Sequence, residues 1–206
     1  MNHVRPQRGT NRFFRKLNRW YCCFWQRLAP GTHVLPDGPL ILVGNHRAGV
    51  DPLLIQAAVN RPLCFLMDRE YYQAMWYARW LFDASGVIPV QPGGANRYAL
   101  SDAIEAVRQG NVLCLFPEGA ANPPVPLERI LPGAVVLAME TGTPILPFRI
   151  TGTWPFDHIH LWRSFLRRGR ASVRFGEPIL LPEGLAGKDA IREWTGTMKQ
   201  ALLDIK

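Results

Sequence analysis

Leu40-Ile41-Leu42-Val43-Gly44-Asn45-His46-Arg47-Ala48-Gly49-Val50-Asp51-Pro52 decides the fold. Residues 40–43 form a short, continuous apolar run, the mark of a strand buried on both faces. Asp51 and Pro52 open a helix over 52–59, since Asp suits an N-cap and Pro the first helical position. His46 then falls in a loop at the C-terminal end of a buried strand, where α/β sheets hold their ligands.

The same alternation continues outward. Apolar segments at 63–67, 87–90, 112–116, 145–150 and 171–175 read as strands, and Pro89 puts the second of these near an edge. Helical patterns cover 70–82, 96–108, 133–140 and 190–205. In the first, Tyr72, Met75, Trp76, Arg79 and Trp80 make a bulky face. Asn96 caps the second, Gly110 stops it, and Gly142 closes the third. The expected fold class is α/β, a central mixed sheet flanked by helices.

The chain has 206 residues, of which 48% are hydrophobic. That supports a folded domain and excludes a disordered chain. No apolar run approaches the ~18 residues of a spanning helix. No apolar h-region follows the basic N-terminus, so secretion is not expected. Cys22, Cys23, Cys64 and Cys114 lack C-x-x-C spacing, which argues against a zinc site and for a reducing compartment.

Charge is unevenly placed on this +8 chain. Arg5, Arg8, Arg12, Arg15, Lys16, Arg19 and Arg27 precede residue 30 with no acid among them. Phe13, Phe14, Leu17, Trp20, Tyr21, Phe24, Trp25 and Leu28 recur between them at helical spacing. This predicts an amphipathic helix able to lie in a membrane interface. Residues 1–30 are read as a membrane-association arm and 31–206 as the body. A second basic block, Arg163, Arg167, Arg168, Arg170 and Arg174, also suits phosphates.

His46 and Asp51 are the candidate catalytic pair. A loop that turns before the helix can return the Asp51 carboxylate to the imidazole, fixing its tautomer. A free imidazole titrates at ~6.5, suited to removing a hydroxyl proton near neutral pH. A second strand ends in Phe116-Pro117-Glu118-Gly119. Its carboxylate, held in a Pro/Gly turn, is expected to hydrogen-bond substrate hydroxyls.

These blocks resemble the glycerophospholipid acyltransferases of the PlsC type. The H-x4-D block matches His46 to Asp51, with Asn45 before it, and F-P-E-G matches Phe116 to Gly119. Gly86-Val87-Ile88-Pro89-Val90 with Arg97 is similar to the second block, and Thr143-Pro144-Ile145-Leu146-Pro147 to the fourth. Val173-Arg174-Phe175-Gly176-Glu177-Pro178 resembles a late segment. The likeness spans roughly residues 38 to 182, in order.

The resemblance implies that 31–206 is an acyltransferase domain. His46 would take the proton of the acceptor hydroxyl, which attacks an acyl thioester carried by coenzyme A or acyl carrier protein. No bound cofactor is implied. Asn45, Arg97, Phe116, Pro117, Glu118, Gly119 and Pro144 would bind substrate, Arg97 through the acceptor phosphate. The implied acceptor is a lysophospholipid, foremost 1-acylglycerol 3-phosphate, at the cytoplasmic face of the membrane with the protein peripheral. No nucleic acid partner is expected.

The chain also departs from the family. Ala120-Ala121-Asn122-Pro123-Pro124 follows Gly119 where the family has Thr and basic residues. Leu131-Pro132 precedes Gly133 where a lysine is usual, and Gln91-Pro92-Gly93-Gly94 delays Arg97. Arg129 and Arg149 are candidate substitutes for the lost charge. The departures keep open another lyso-lipid acceptor, such as a lyso-aminolipid. Two other classes remain: a non-catalytic module using the basic arm on membranes or nucleic acid, and a metal-dependent hydrolase using His46, Asp51 and Glu118.

Overall fold

A computed structural model describes residues 12–90, 100–119, 125–154 and 163–206. The elements in chain order are α1 (Arg12–Phe24), β1 (Leu40–Gly44), α2 (Asp51–Ala58), β2 (Leu63–Asp68), α3 (Arg69–Ala74), α4 (Arg79–Ala84) and β3 (Val87–Val90). They continue with α5 (Ser101–Arg108), β4 (Val112–Leu115), α6 (Gly133–Thr141), β5 (Ile145–Thr151), α7 (Arg163–Leu166), β6 (Ser172–Phe175) and α8 (Lys188–Asp204).

The described strands form one mixed sheet in the order β3-β2-β4-β1-β5-β6. β1 to β5 pair in parallel, and β6 runs antiparallel to β5. Parallel neighbours need long crossovers, which the intervening helices supply. Pro89 lies on the edge strand β3, where a missing N–H is tolerated. One core packs α1 and α2 on one face of the sheet, and a second packs α5, α6 and α8 on the other. β1 lies between β4 and β5, so the C-terminal ends of these three strands share one edge.

Two helical expectations change. The pattern over 70–82 is not one helix. It breaks at Met75 (φ −91, ψ 44) into α3, a 3₁₀ turn at Trp76–Ala78, and α4. Neither α3 nor the 3₁₀ turn has a buried residue, so no packed face holds the segment in a single helix. Asn96 and Arg97 lie outside the described residues, and the described helix begins at Ser101.

α1 docks in an unusual sense. Its polar side meets α2: Asn18 Nδ2 donates to Leu53 O (2.9 Å), Arg19 to Ala57 O (3.1 Å) and Arg15 to Asn60 O (2.5 Å). Two guanidinium groups thus serve carbonyls at the end of α2, where the helix dipole favours cations. Cys22 is buried here, and Phe13, Leu17, Trp20 and Phe24 line the outward side. An ordinary surface helix buries its apolar stripe.

Gly44 closes β1 where the Phe148 ring crosses the backbone, and a Cβ would overlap that ring. Gly44→Ala should therefore destabilise the fold by about 1–3 kcal/mol, seen as a lower denaturation midpoint. An unchanged midpoint would show that Phe148 can swing away freely.

Candidate active site

The loop after β1 brings His46 and Asp51 together. His46 Nδ1 lies 3.0 Å from Asp51 Oδ2. The same oxygen accepts the backbone N–H of Arg47 (2.7 Å) and of Ala48 (2.8 Å). An ionised carboxylate can only accept, so Nδ1 carries the hydrogen and Nε2 is the basic nitrogen. Asp51 is fully buried, while the His46 side chain is 20% exposed. Asp51 Oδ1 is buried with no partner.

This corrects the capping expectation for Asp51. Val50 is the N-cap, with no side-chain bond, and Asp51 is the first helical residue. Its carboxylate turns back into the loop, because the loop's two amides and the imidazole converge on it.

Phe116 and Glu118 arrive from the adjacent strand. Val43 pairs with Leu115, so the chain leaving β4 passes beside the chain leaving β1. The Phe116 ring stacks on the imidazole at 4.3 Å between centroids, 20° from parallel. Phe148 meets Phe116 edge-on at 6.2 Å. One imidazole face is therefore covered by aromatic surface.

Glu118 is buried, and each of its carboxylate oxygens bonds a backbone amide. Oε1 accepts the His46 N–H (2.9 Å) and Oε2 accepts the Leu127 N–H (3.2 Å). The carboxylate is used to tie two loops together. Asn45 is similar: its amide donates to Ile150 O (2.9 Å) and accepts from Ile150 N (2.8 Å), clamping the end of β1 to β5. Pro117 O accepts the Leu131 N–H (2.7 Å). Gly119 has φ +71, and Leu131 occupies the space a Cβ would take.

Pro144 does not join the group. It precedes β5, its carbonyl accepts the Ile41 N–H (3.1 Å), and Gly44 pairs instead with Phe148. At about 3.3 Å per residue, the length of β1 separates Pro144 from the imidazole. Proline-rich composition marks the strand without marking which end meets the site.

Arg47 was missed as a site residue. It lines a cleft of about 120 Å³ beside Asn45, with Leu127, Arg149, Thr151 and Thr153. Its Nε is buried without a partner. No acidic residue lines this cleft among the described residues. Arg149 adds a second guanidinium, held by Ile205 O at 2.8 Å, whereas Arg129 is exposed. The only signal in the sequence was adjacency to His46. Cys114, near the end of β4, is no alternative nucleophile, because burial raises its thiol well above the usual range.

Among the described residues, no three His, Cys, Asp or Glu side chains group as metal ligands. What the arrangement can do is accept a proton at Nε2, with a buried carboxylate behind the imidazole to stabilise the cation formed.

Several known proteins are similar to this chain. A protein of Mycoplasma genitalium named as a probable 1-acyl-sn-glycerol-3-phosphate acyltransferase is 26% identical over 160 residues, 72% of this chain and 58% of its own length. A lyso-ornithine lipid O-acyltransferase of Pseudomonas aeruginosa is 27% identical over 117 residues, 56% of this chain and 44% of its own. The chain spans about half the length of the curated relatives it matches. The crystal structure of the Thermotoga maritima 1-acyl-sn-glycerophosphate acyltransferase PlsC shares the fold, with a TM-score of 0.62 at 21% identity over 93% of this chain and 79% of that one. The family model described as Acyltransferase matches residues 29–151, which include His46, Asp51 and Glu118. The chain belongs to the Acyltransferase family.

Proposed function

We propose that this chain transfers a fatty acyl group from an acyl thioester to a lysophospholipid hydroxyl, most simply that of 1-acylglycerol 3-phosphate. The observation that carries the reading is the His46–Asp51 contact, with the imidazole backed by Phe116 and partly open to solvent.

The acceptor O–H hydrogen-bonds to His46 Nε2. As its oxygen attacks the thioester carbonyl carbon, the proton passes to Nε2 and a C–O bond forms. Asp51 stabilises the imidazolium; its charge is buried and needs no reorganisation when the cation appears. The tetrahedral oxyanion collapses, the C–S bond breaks, and the imidazolium returns its proton to the departing sulfur. No enzyme nucleophile is needed.

Arg47 supports a phosphorylated acceptor. An arginine lining a cleft with no acid among its described residues favours a phosphate group. A relative named for lyso-ornithine lipid supports testing that acceptor as well. The donor is read as acyl-coenzyme A or acyl carrier protein. No helix among the described residues is long and apolar enough to cross a membrane. The outward stripe of α1 instead supports peripheral attachment, on the cytoplasmic face where such thioesters are made.

The deciding assay supplies acyl thioester with lysophosphatidate or lyso-ornithine lipid and follows free thiol release. Absence of release with every lysolipid refutes the reading. His46→Ala and Asp51→Asn should each lower kcat by about 10²–10⁴ without loss of folding. A normal rate for His46→Ala would remove the base.

Glu118→Gln sets an NH₂ against one of two backbone donors. It should cost about 1–3 kcal/mol of stability and lower kcat through a displaced His46; unaltered kcat and midpoint would show that the tie is dispensable. Arg47→Gln should raise KM for lysophosphatidate about 10- to 100-fold while KM for the thioester stays near that of the parent protein. Equal KM values would take Arg47 out of acceptor binding.

A further inference from the structure

The second basic block lies against α1. Tyr21 Oη donates to Phe165 O (2.7 Å), Trp25 Nε1 to Leu166 O (3.0 Å) and Gln26 Nε2 to Arg167 O (3.2 Å). Arg168 places its guanidinium carbon 5.8 Å from the Phe24 ring centre and 5.1 Å from that of Trp25. Arg167 sits 4.8 Å over Trp154, whose Nε1 donates to Arg168 O (3.0 Å). Around these cations Trp154 (47%), Leu166 (60%), Phe24 (56%) and Trp20 (62%) stand exposed. No Asp or Glu occurs in residues 1–36 or 161–176.

We infer that Arg167, Arg168, Trp154 and Leu166 join the outward stripe of α1 in one discontinuous surface that docks on membranes rich in anionic phospholipid. The inference rests on the reading of α1 as lipid-facing and extends it to a segment some 140 residues away in sequence. Charge selects the partner. Guanidinium groups fixed on aromatic faces present their remaining N–H groups to phosphate oxygens, while aromatic and leucine side chains beside them enter the interface. Single-stranded nucleic acid fits less well. It binds by stacking bases on open aromatic faces, but Arg168 covers faces of Phe24 and Trp25, Arg167 covers Trp154, and Trp20 is stacked on Phe24 at 5.4 Å. Exposed Leu17 and Leu166 would gain nothing from a polynucleotide.

The surface also adjoins the reaction edge. Trp154 follows β5 by three residues, and β5 is the parallel neighbour of β1, whose end carries His46. Gly152 O accepts the Arg170 N–H (3.1 Å), tying the basic segment to that same edge.

The test is flotation of the full chain with vesicles of phosphatidylcholine, with and without phosphatidylglycerol, beside binding of a labelled single-stranded oligonucleotide. The expected result is preference for the anionic vesicles, lost in high salt. Arg167→Gln with Arg168→Gln should weaken anionic binding about fivefold per charge and leave neutral-vesicle binding unchanged. Arg167→Lys with Arg168→Lys should restore most of it, which a merely structural role would not allow. Phe13→Ser with Trp20→Ser should weaken binding to both vesicles. If the parent protein floats and the Gln pair floats equally well, the extension is overturned while the α1 reading stands. If the parent protein binds neither vesicle, or binds only the oligonucleotide, both are overturned.

Discussion

One carboxylate oxygen organises the site. Asp51 Oδ2 receives the His46 ring and two successive loop amides. With Asp51 fully buried, these bonds act without competition from water. They bend residues 46–48 around a point charge, so the imidazole is oriented by the same contact that shapes its loop. Pro52 holds the following turn in helical geometry and keeps the carboxylate at a fixed distance. Tautomer, ring orientation and loop path are consequences of one interaction.

The surrounding acids and amides are used within the protein. Glu118 holds the His46 backbone from the β4 side, and Asn45 holds the end of β1 from the β5 side. Each side chain satisfies backbone groups that irregular loops would leave unpaired in the interior. The central strand is thus tethered to both neighbours at the place where it delivers the histidine. Rigid attachment of this kind keeps a base within reach of a hydroxyl, since small displacements remove most of the advantage of a positioned reactant. Polar residues beside a loop histidine are easily read as substrate ligands, and here Asn45 and Glu118 bond backbone groups.

Local signals made much of this legible. Short apolar-rich segments marked the six described strands, continuous in β1 and β4, and Pro89 marked the edge. The return of Asp51 to His46 followed from a loop, since residues five apart on one helix diverge. What eluded the sequence depended on partners far along the chain. Nothing near Glu118 announces that its carboxylate will meet the amides of residues 46 and 127. Pro144 was misplaced because motif order does not say which end of a strand meets the site. The pattern at 70–82 suggests a helix by periodicity alone, but with no buried residue in α3 or the 3₁₀ turn to hold it straight, it breaks at Met75.

α1 shows why amphipathicity must be joined to docking before it says anything about partners. Periodicity supplied an apolar and a basic face, and a helix laid on its own domain would ordinarily bury the first. Here arginines and an asparagine bond α2, and the aromatic stripe faces outward. Leaving four large apolar side chains in water forgoes roughly 1.5–3 kcal/mol for each that could be fully buried. A second surface that covers them removes that loss. Under the proposed function the acceptor lipid resides in such a surface. On that reading, an outward apolar stripe on the helix, cations tied to the end of β5 and a histidine at the end of β1 answer one constraint: the reacting hydroxyl need not leave the interface to meet its base.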